Sequence, residues 1–228
     1  MLAKKKKLTK KQIKEDSLVK TYYNAVKFYE KYQSKILMGL GAVAVIIVVI
    51  VLYSSKVMED NRIATTQLSR VMPLYNSGSY LEAIDGRPGT NLVGLKNIVE
   101  DYGSTEQGEY AKVLLGNCYY FQDDFTMAMD YYNDYSGDNN LFKAAALAGM
   151  ANCYEAQDNI GEAASYYKKA ANVSETDPLT PEYLLDAGKC YLKLNEKEEA
   201  RNLLSKIKTE YKNSSVSSEA DKYLALVD

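Results

Sequence analysis

The sequence predicts an all-α protein, an N-terminal single transmembrane helix followed by a solenoid of helix-turn-helix units. Three observations predict this. An uncharged run of 18 residues, "ILMGLGAVAVIIVVIVLY" from Ile36 to Tyr53, stands between Lys35 and Lys56. A motif in the second half recurs at intervals of 35 and 37 residues, marked by Cys118, Cys153 and Cys190. The helix breakers, 13 Gly and 4 Pro in 228 residues, gather in a few short stretches and leave long uninterrupted segments between them.

The first segment, residues 1–35, is a Lys-rich tail. It holds 11 Lys against 3 acidic residues, whereas Lys56 to Asp228 holds 17 basic against 27 acidic residues, so a net charge of −2 hides a +8 tail and a −10 domain. Such asymmetry fits a nucleic-acid arm, a membrane-proximal tail or plain solvation, and the apolar run between the two halves decides for the membrane. No nucleic acid is expected as a partner. The stretch "KKKKLTKKQIK" reads as a topology signal, with binding of anionic lipid, nucleic acid or an acidic protein surface as the disfavoured alternatives. Behind it Val19, Tyr22, Tyr23, Val26, Tyr29 and Tyr32 follow a 3–4 spacing, which predicts a juxtamembrane helix running towards the span.

Residues 36–55 form the expected membrane helix. Eighteen residues rising about 1.5 Å each cover roughly 27 Å, close to the hydrocarbon thickness of a bilayer. Tyr32 and Tyr53 stand where interfacial aromatics belong, and Lys35 and Lys56 can snorkel. The long region ahead of the run, the length of the run itself and the lack of a small-x-small site in "YSSKVMED" favour an uncleaved anchor over a signal peptide. The lysine bias of the tail places the N-terminus in the cytoplasm and the C-terminal domain outside it. Gly39 and Gly41 do not make a Gly-x-x-x-Gly pair, so the span carries no specific dimerisation signal.

Composition also excludes chemistry. With no histidine there is no Ser-His-Asp triad, no Cys-His pair and no imidazole base. Three thiols without a Cys-x-x-Cys spacing make neither a closed zinc site nor a redox pair. "DGRPGT", Asp85 to Thr90, lacks the Gly-Lys-Ser/Thr ending of a phosphate loop and reads as a connection between helices. No enzyme activity, cofactor or metal is expected.

The cysteines mark a repeat. Each precedes a tyrosine, Tyr119, Tyr154 or Tyr191. Three positions before those tyrosines stand Gly116, Ala151 and Gly188, nine after them Ala128, Ala163 and Ala200, and thirteen after them Tyr132, Tyr167 and Leu204. Small residues at fixed positions let two helices cross closely, and the tyrosines fill the gaps between neighbouring units. Cysteine at such a position is a compact hydrophobe. The pattern resembles the tetratricopeptide repeat (TPR), with "LLGNCYYFQDDFTMAMDYY" as the nearest stretch. The repeats are expected at about 109–140, 144–177 and 181–212. Echoes of "DYGSTEQGEYA" in "EYKNSSVSSEA" extend the array to a degenerate unit over 57–102, with helix B at 91–102, and to a capping helix over 217–227. The first helix of the degenerate unit is expected to run from the membrane through about Asn76, with a bend at Pro73.

From about Tyr29 onwards the chain resembles the membrane-anchored TPR proteins related to the ancillary subunit of the bacterial Sec translocon. Its Tyr-rich units and "EYKNSS" are also similar to repeat proteins of envelope assembly and division. The resemblance implies a scaffold in the bacterial inner membrane, with translocon components, periplasmic chaperones or envelope proteins as partners. A structural organiser linked to cell-wall, division or outer-membrane machinery is the alternative. It further implies that the A helices line a concave groove carrying Tyr110, Val113, Asn117, Tyr120 and Phe121, then Asn152, Glu155 and Ala156, then Glu182, Leu185, Lys189, Leu192 and Lys193. That face either binds a partner or packs on the first helix of the array or on a second protomer. Val113, Glu182 and Asp186 stand where a carboxylate clamp would need basic residues, so no such clamp is expected.

Overall fold

The computed structural model describes residues 10–227, with side chains from Val19 onwards. Among the described residues there are ten helices and no strand, apart from one isolated antiparallel bridge between Gly86 and Val93. The chain divides into two units, Met1–Lys56 and Val57–Asp228.

The first unit is the leading part of helix α1 (Lys10–Asn76). One window of this helix has a mean hydropathy of 3.0, long and apolar enough to cross a membrane. Leu37, Met38, Ile46, Ile50 and Leu52 within it are each more than half exposed. Water penalises such a surface, whereas hydrocarbon does not. The β-branched stretch Val43–Val51 is a poor helix former in water. In a lipid core every N–H must find its carbonyl within the segment, and the helix is then the accessible solution. α1 therefore carries a candidate membrane span.

The second unit starts with the last turns of α1. Ala64, Leu68 and Val71, spaced 4 and 3 apart, form a buried stripe against Ala83 and Ile84 of α2 (Tyr80–Asp85) and Leu95 and Ile98 of α3 (Leu95–Tyr102). Ala111, Leu114, Leu115 and Cys118 of α4 (Glu106–Tyr120) close the same core. α4 pairs with α5 (Phe125–Asn133), α6 (Asn140–Ala156) with α7 (Ile160–Ala171), and α8 (Thr180–Lys193) with α9 (Lys197–Glu210). The short α10 (Ser217–Leu224) packs on α9 and α8.

The three hairpins share one turn. Asp123, Asp158 and Asn195 stand at the same repeat position and all adopt a left-handed backbone, with φ of 59°, 60° and 61°. Asp and Asn are the non-glycine residues that tolerate this region best. The following amides of Asp124, Asn159 and Glu196 donate to the carbonyls of Tyr119, Tyr154 and Tyr191 at 3.0, 2.8 and 2.9 Å, which satisfies the C-terminal carbonyls of each A helix. Asp124 then caps α5 through the amide of Met127, and Asn159 caps α7 through that of Glu162. Each cap is worth on the order of 1 kcal/mol.

The helix crossings use the small residues. Ala128, Ala151, Ala163 and Ala200 are fully buried. A Cβ on Gly116 would fall 2.6 Å from the Tyr132 ring, and one on Gly188 would fall 2.9 Å from Leu204. Gly149 of the next A helix also abuts the Tyr132 ring, where a Cβ would fall closer still to it. Tyr132 is thus held between two glycines, one from its own unit and one from the following unit. Of the repeat tyrosines expected to fill the gaps between units, Tyr132 does so, whereas those after the cysteines stay within their own units. Tyr119 and Tyr154 are half-buried and lie against Tyr131 and Tyr166 of their own B helices, with ring centroids 5.5 and 5.3 Å apart.

Several boundaries differ from the sequence reading. α4, α6 and α8 begin at Glu106, Asn140 and Thr180, ahead of the expected 109, 144 and 181, because the caps Thr105 and Asn139 start two of them earlier. α10 ends at Leu224 rather than at 227. By contrast, α1 runs through Pro73 to Asn76, the end expected for it. The degenerate unit contains α2, which the sequence reading did not assign, and its helix B begins at Leu95 instead of 91. The cause is a closed loop. Gly86, at φ 77°, pairs with Val93, and the amide of Arg87 donates to the Leu92 carbonyl at 3.0 Å. Residues 91–94 are the return arm of that loop, and the helix starts only beyond it.

Candidate partner-binding site

The residues expected to line the groove fall into three groups. Val113 and Leu185 are buried in the core and unavailable. The aromatic residues form a connected series of rings. Tyr75 at the end of α1 meets Tyr80 at 6.1 Å, Tyr80 stacks on Phe121 at 4.8 Å with 10° between planes, Phe121 meets Tyr120 at 5.5 Å, and Tyr120 meets Phe125 at 5.7 Å. Phe121 is 53% exposed and Leu81, beside Tyr80 in sequence, is 66% exposed. Tyr110 lies apart from this series, stacked on Phe142 of α6 at 4.3 Å.

The polar residues form a ladder along the A helices. Tyr132 donates from its hydroxyl to Asn117 Oδ1 at 2.7 Å, and Asn117 Nδ2 donates to the Tyr75 hydroxyl at 2.9 Å. One unit later the Tyr167 hydroxyl donates to Asn152 Oδ1 and shares Glu155 Oε2 at 3.1 Å. Glu155 Oε1 pairs with Lys193 Nζ at 2.6 Å. In the third unit Leu204 replaces the tyrosine, and Lys189 pairs with Asp186 and Glu219 at 3.2 and 2.9 Å. Burial holds the Asp186 carboxyl above its usual range despite Lys189 beside it. Burial likewise pushes the Tyr132 and Tyr167 hydroxyls upward, so both remain neutral donors.

This geometry separates the two asparagines. Both ends of the Asn117 amide are satisfied inside the domain, whereas Asn152 keeps its Nδ2 without an intramolecular partner among the described residues. Leu192 and Glu182 are half-buried, and Ala156 is exposed. What the arrangement offers chemically is an apolar aromatic edge beside hydrogen-bond donors and ion-paired charges.

Two features escaped the sequence reading. The first is a buried ion pair. Glu109 and Lys112 are each 7% exposed and 2.9 Å apart, and Lys112 also bonds the carbonyl and carboxylate of Asp134 at 3.0 Å. Ser136 donates to Glu109 from both its amide and its hydroxyl at 2.8 Å, tying the α5–α6 loop to α4. The second is the shared left-handed turn position, visible in sequence as Asp123, Asp158 and Asn195 four residues after each repeat tyrosine.

The cysteines lie outside this site. All three are buried and free, and burial pushes their thiols up to about 12, 11 and 12 for Cys118, Cys153 and Cys190. The thiolate is the reactive form, so at pH 8 a thiol reagent should label the folded protein slowly and reach three equivalents only in denaturant. Rapid native labelling, or fewer than three thiols after unfolding, would contradict their role as packing residues.

Residues 142–207, from the start of α6 to near the end of α9, match the family described as Tetratricopeptide repeat. No curated protein matches the chain. The matched segment covers the second and third hairpins, and α4–α5 extends the same turn and crossing geometry towards the N-terminus.

Proposed function

We propose that this chain is a membrane-anchored TPR scaffold that holds a protein partner beside the bilayer. In this reading α1 anchors it in a bacterial inner membrane as a single span, with the N-terminus cytoplasmic and the repeat domain on the far side. The A-helix face carries the contact. Tyr120 and Phe121 serve as apolar anchors, with Tyr110 at the margin. Asn152, Glu155, Lys189, Leu192 and Lys193 supply the polar and amphipathic rim. Asn117 acts indirectly, by fixing Tyr75 and Tyr132. Partners of this kind are translocon components, periplasmic chaperones or emerging envelope proteins.

The observation that carries the reading is the exposed Phe121, stacked on Tyr80 and continuous with three further rings. Aromatic side chains dominate interface energetics, and tyrosine pairs an apolar body with a polar tip. An exposed aromatic edge beside ion-paired charges on a repeat domain supports protein binding as the chemistry of this face. Affinity purification from gently solubilised membranes tests the assignment. Recovery of translocon or chaperone proteins is the expected result. Recovery of cell-wall or division proteins instead would replace it with the envelope-organiser reading, and recovery of the chain alone would remove the scaffold role.

A further inference from the structure

A second surface lies in the first unit. On α1, Val19, Tyr22, Val26 and Tyr29 follow a 3–4–3 spacing, and Val19, Tyr22 and Tyr29 are 64%, 71% and 51% exposed. In a seven-residue register Val19 and Val26 take position a, Tyr22 and Tyr29 position d, Gln33 the next a and Ile36 the next d. The four lysines of this stretch, Lys20, Lys27, Lys31 and Lys35, fall at b, b, f and c. None falls at a, d, e or g, the positions that face a partner helix. Lys27 and Lys31 turn their ammonium groups over the rings of Tyr23 and Tyr32, at 5.0 and 5.2 Å, along the flanks of the stripe.

Lipid cannot cover this stripe. α1 is unbroken, with no Gly or Pro between Lys10 and Met38, and it enters the apolar run directly. Val19 stands 17 residues before Ile36, about 25 Å along the axis at 1.5 Å per residue. The headgroup layer beyond the hydrocarbon is only roughly 5–8 Å deep on each side. A continuous helix leaving the bilayer therefore carries the Val–Tyr stripe clear of it, and laying the stripe on the membrane would require breaking the helix near Ile36.

We propose that this stripe pairs with the same stripe of a second copy of the chain, forming a parallel two-helix coiled coil next to the membrane. The inference rests on the membrane-anchor reading given above. Chains anchored by the same single span share one orientation and one height, so identical stripes meet in register without further constraint. Val19 and Val26 put β-branched residues at a, as two-stranded coiled coils do, while Tyr22 and Tyr29 take the d positions and Gln33 adds one polar residue at a. Anchoring in a shared membrane raises the effective concentration of each stripe for the other.

Disulfide trapping of the full chain in its native membranes tests this. Single cysteines are placed at Val19, Tyr22 and Val26, and at Lys20, Asn24 and Lys27 as off-stripe controls. The wild-type chain, with its three buried thiols, serves as the blank. After mild oxidation, V19C, Y22C and V26C should give a product at twice the 25.6 kDa chain mass. Its yield should exceed that of K20C, N24C and K27C by about tenfold, since a disulfide needs Cα atoms within about 7 Å. Equal yields at all six positions, or no product, would overturn the pairing. A product of another mass would give the stripe to a different protein and overturn the self-association equally. Resistance of the same samples to carbonate extraction reports the anchor independently of the cross-link yields.

Discussion

Replacing Tyr132 by alanine is expected to destabilise the repeat domain by about 3–5 kcal/mol, the range for removing a large buried ring. The ring is 3% exposed and lies between Gly116 and Gly149, so two adjacent units lose the same filler at once. Both neighbours are glycine, and neither can grow a side chain into the space that is left. The hydroxyl adds a smaller amount. Tyr132→Phe keeps the ring but leaves Asn117 Oδ1 without its donor, which should cost about 1 kcal/mol. Urea unfolding of the detergent-solubilised chain, followed by far-UV circular dichroism, distinguishes the two substitutions. Equal losses for alanine and phenylalanine would mean that the hydrogen bond, and not the packing, holds this crossing.

Lys112→Met should have the next largest effect, about 3 kcal/mol. Breaking a buried ion pair leaves one charge unpaired and costs roughly 3–5 kcal/mol, and the two Ser136 donors that stay on Glu109 put the loss at the low end. The double variant Glu109→Gln with Lys112→Met removes both charges and should recover most of the loss. Burial opposes the Lys112 charge, but the bonds to Glu109 and Asp134 outweigh it and hold its pKa above the usual value. A lysine raised in this way contributes stability below its unfolded pKa of about 10.4 and loses it as pH climbs through the folded value. The difference between wild type and Lys112→Met should therefore be full at pH 8 and shrink in strong alkali. A double variant no more stable than Lys112→Met would show that the pair is not coupled.

The repeat was legible because its crossings demand small residues at fixed places, and Gly116, Ala151 and Gly188 declare those places directly. The long apolar helix was legible for a similar reason, since an uncharged run of bilayer length marks a candidate span directly. What escaped needs knowledge of the neighbouring unit. Gly149 looks like an incidental glycine in "AAALAGMA" until the next A helix is set against Tyr132. Glu109 and Lys112 read as an ordinary exposed pair three residues apart on a helix, and only the return of the Asp134–Ser136 loop buries them. The two asparagines look equivalent in sequence. Tyr75, 42 residues away, consumes the amide of Asn117 and makes them different. The short α2 in "YLEAID" is too brief to show a period, and its place depends on the closed glycine loop that follows.

The central claim is that the A-helix face holds a protein partner, and affinity purification with surface variants tests it most directly. Tyr120→Ala with Phe121→Ala removes two linked rings from the aromatic series, the exposed Phe121 among them, while the five small and apolar crossing positions at Ala128, Ala151, Ala163, Gly188 and Ala200 stay untouched. Lys168→Ala with Lys169→Ala alters the B-helix side of the second hairpin instead. From membranes solubilised under identical conditions, the aromatic variant should lose the co-purifying partner about tenfold or more, as expected when interface anchors are truncated. The lysine variant should retain it, and both should keep wild-type helicity and membrane association. Retention of the partner by a folded, membrane-bound Tyr120→Ala, Phe121→Ala chain would contradict the account.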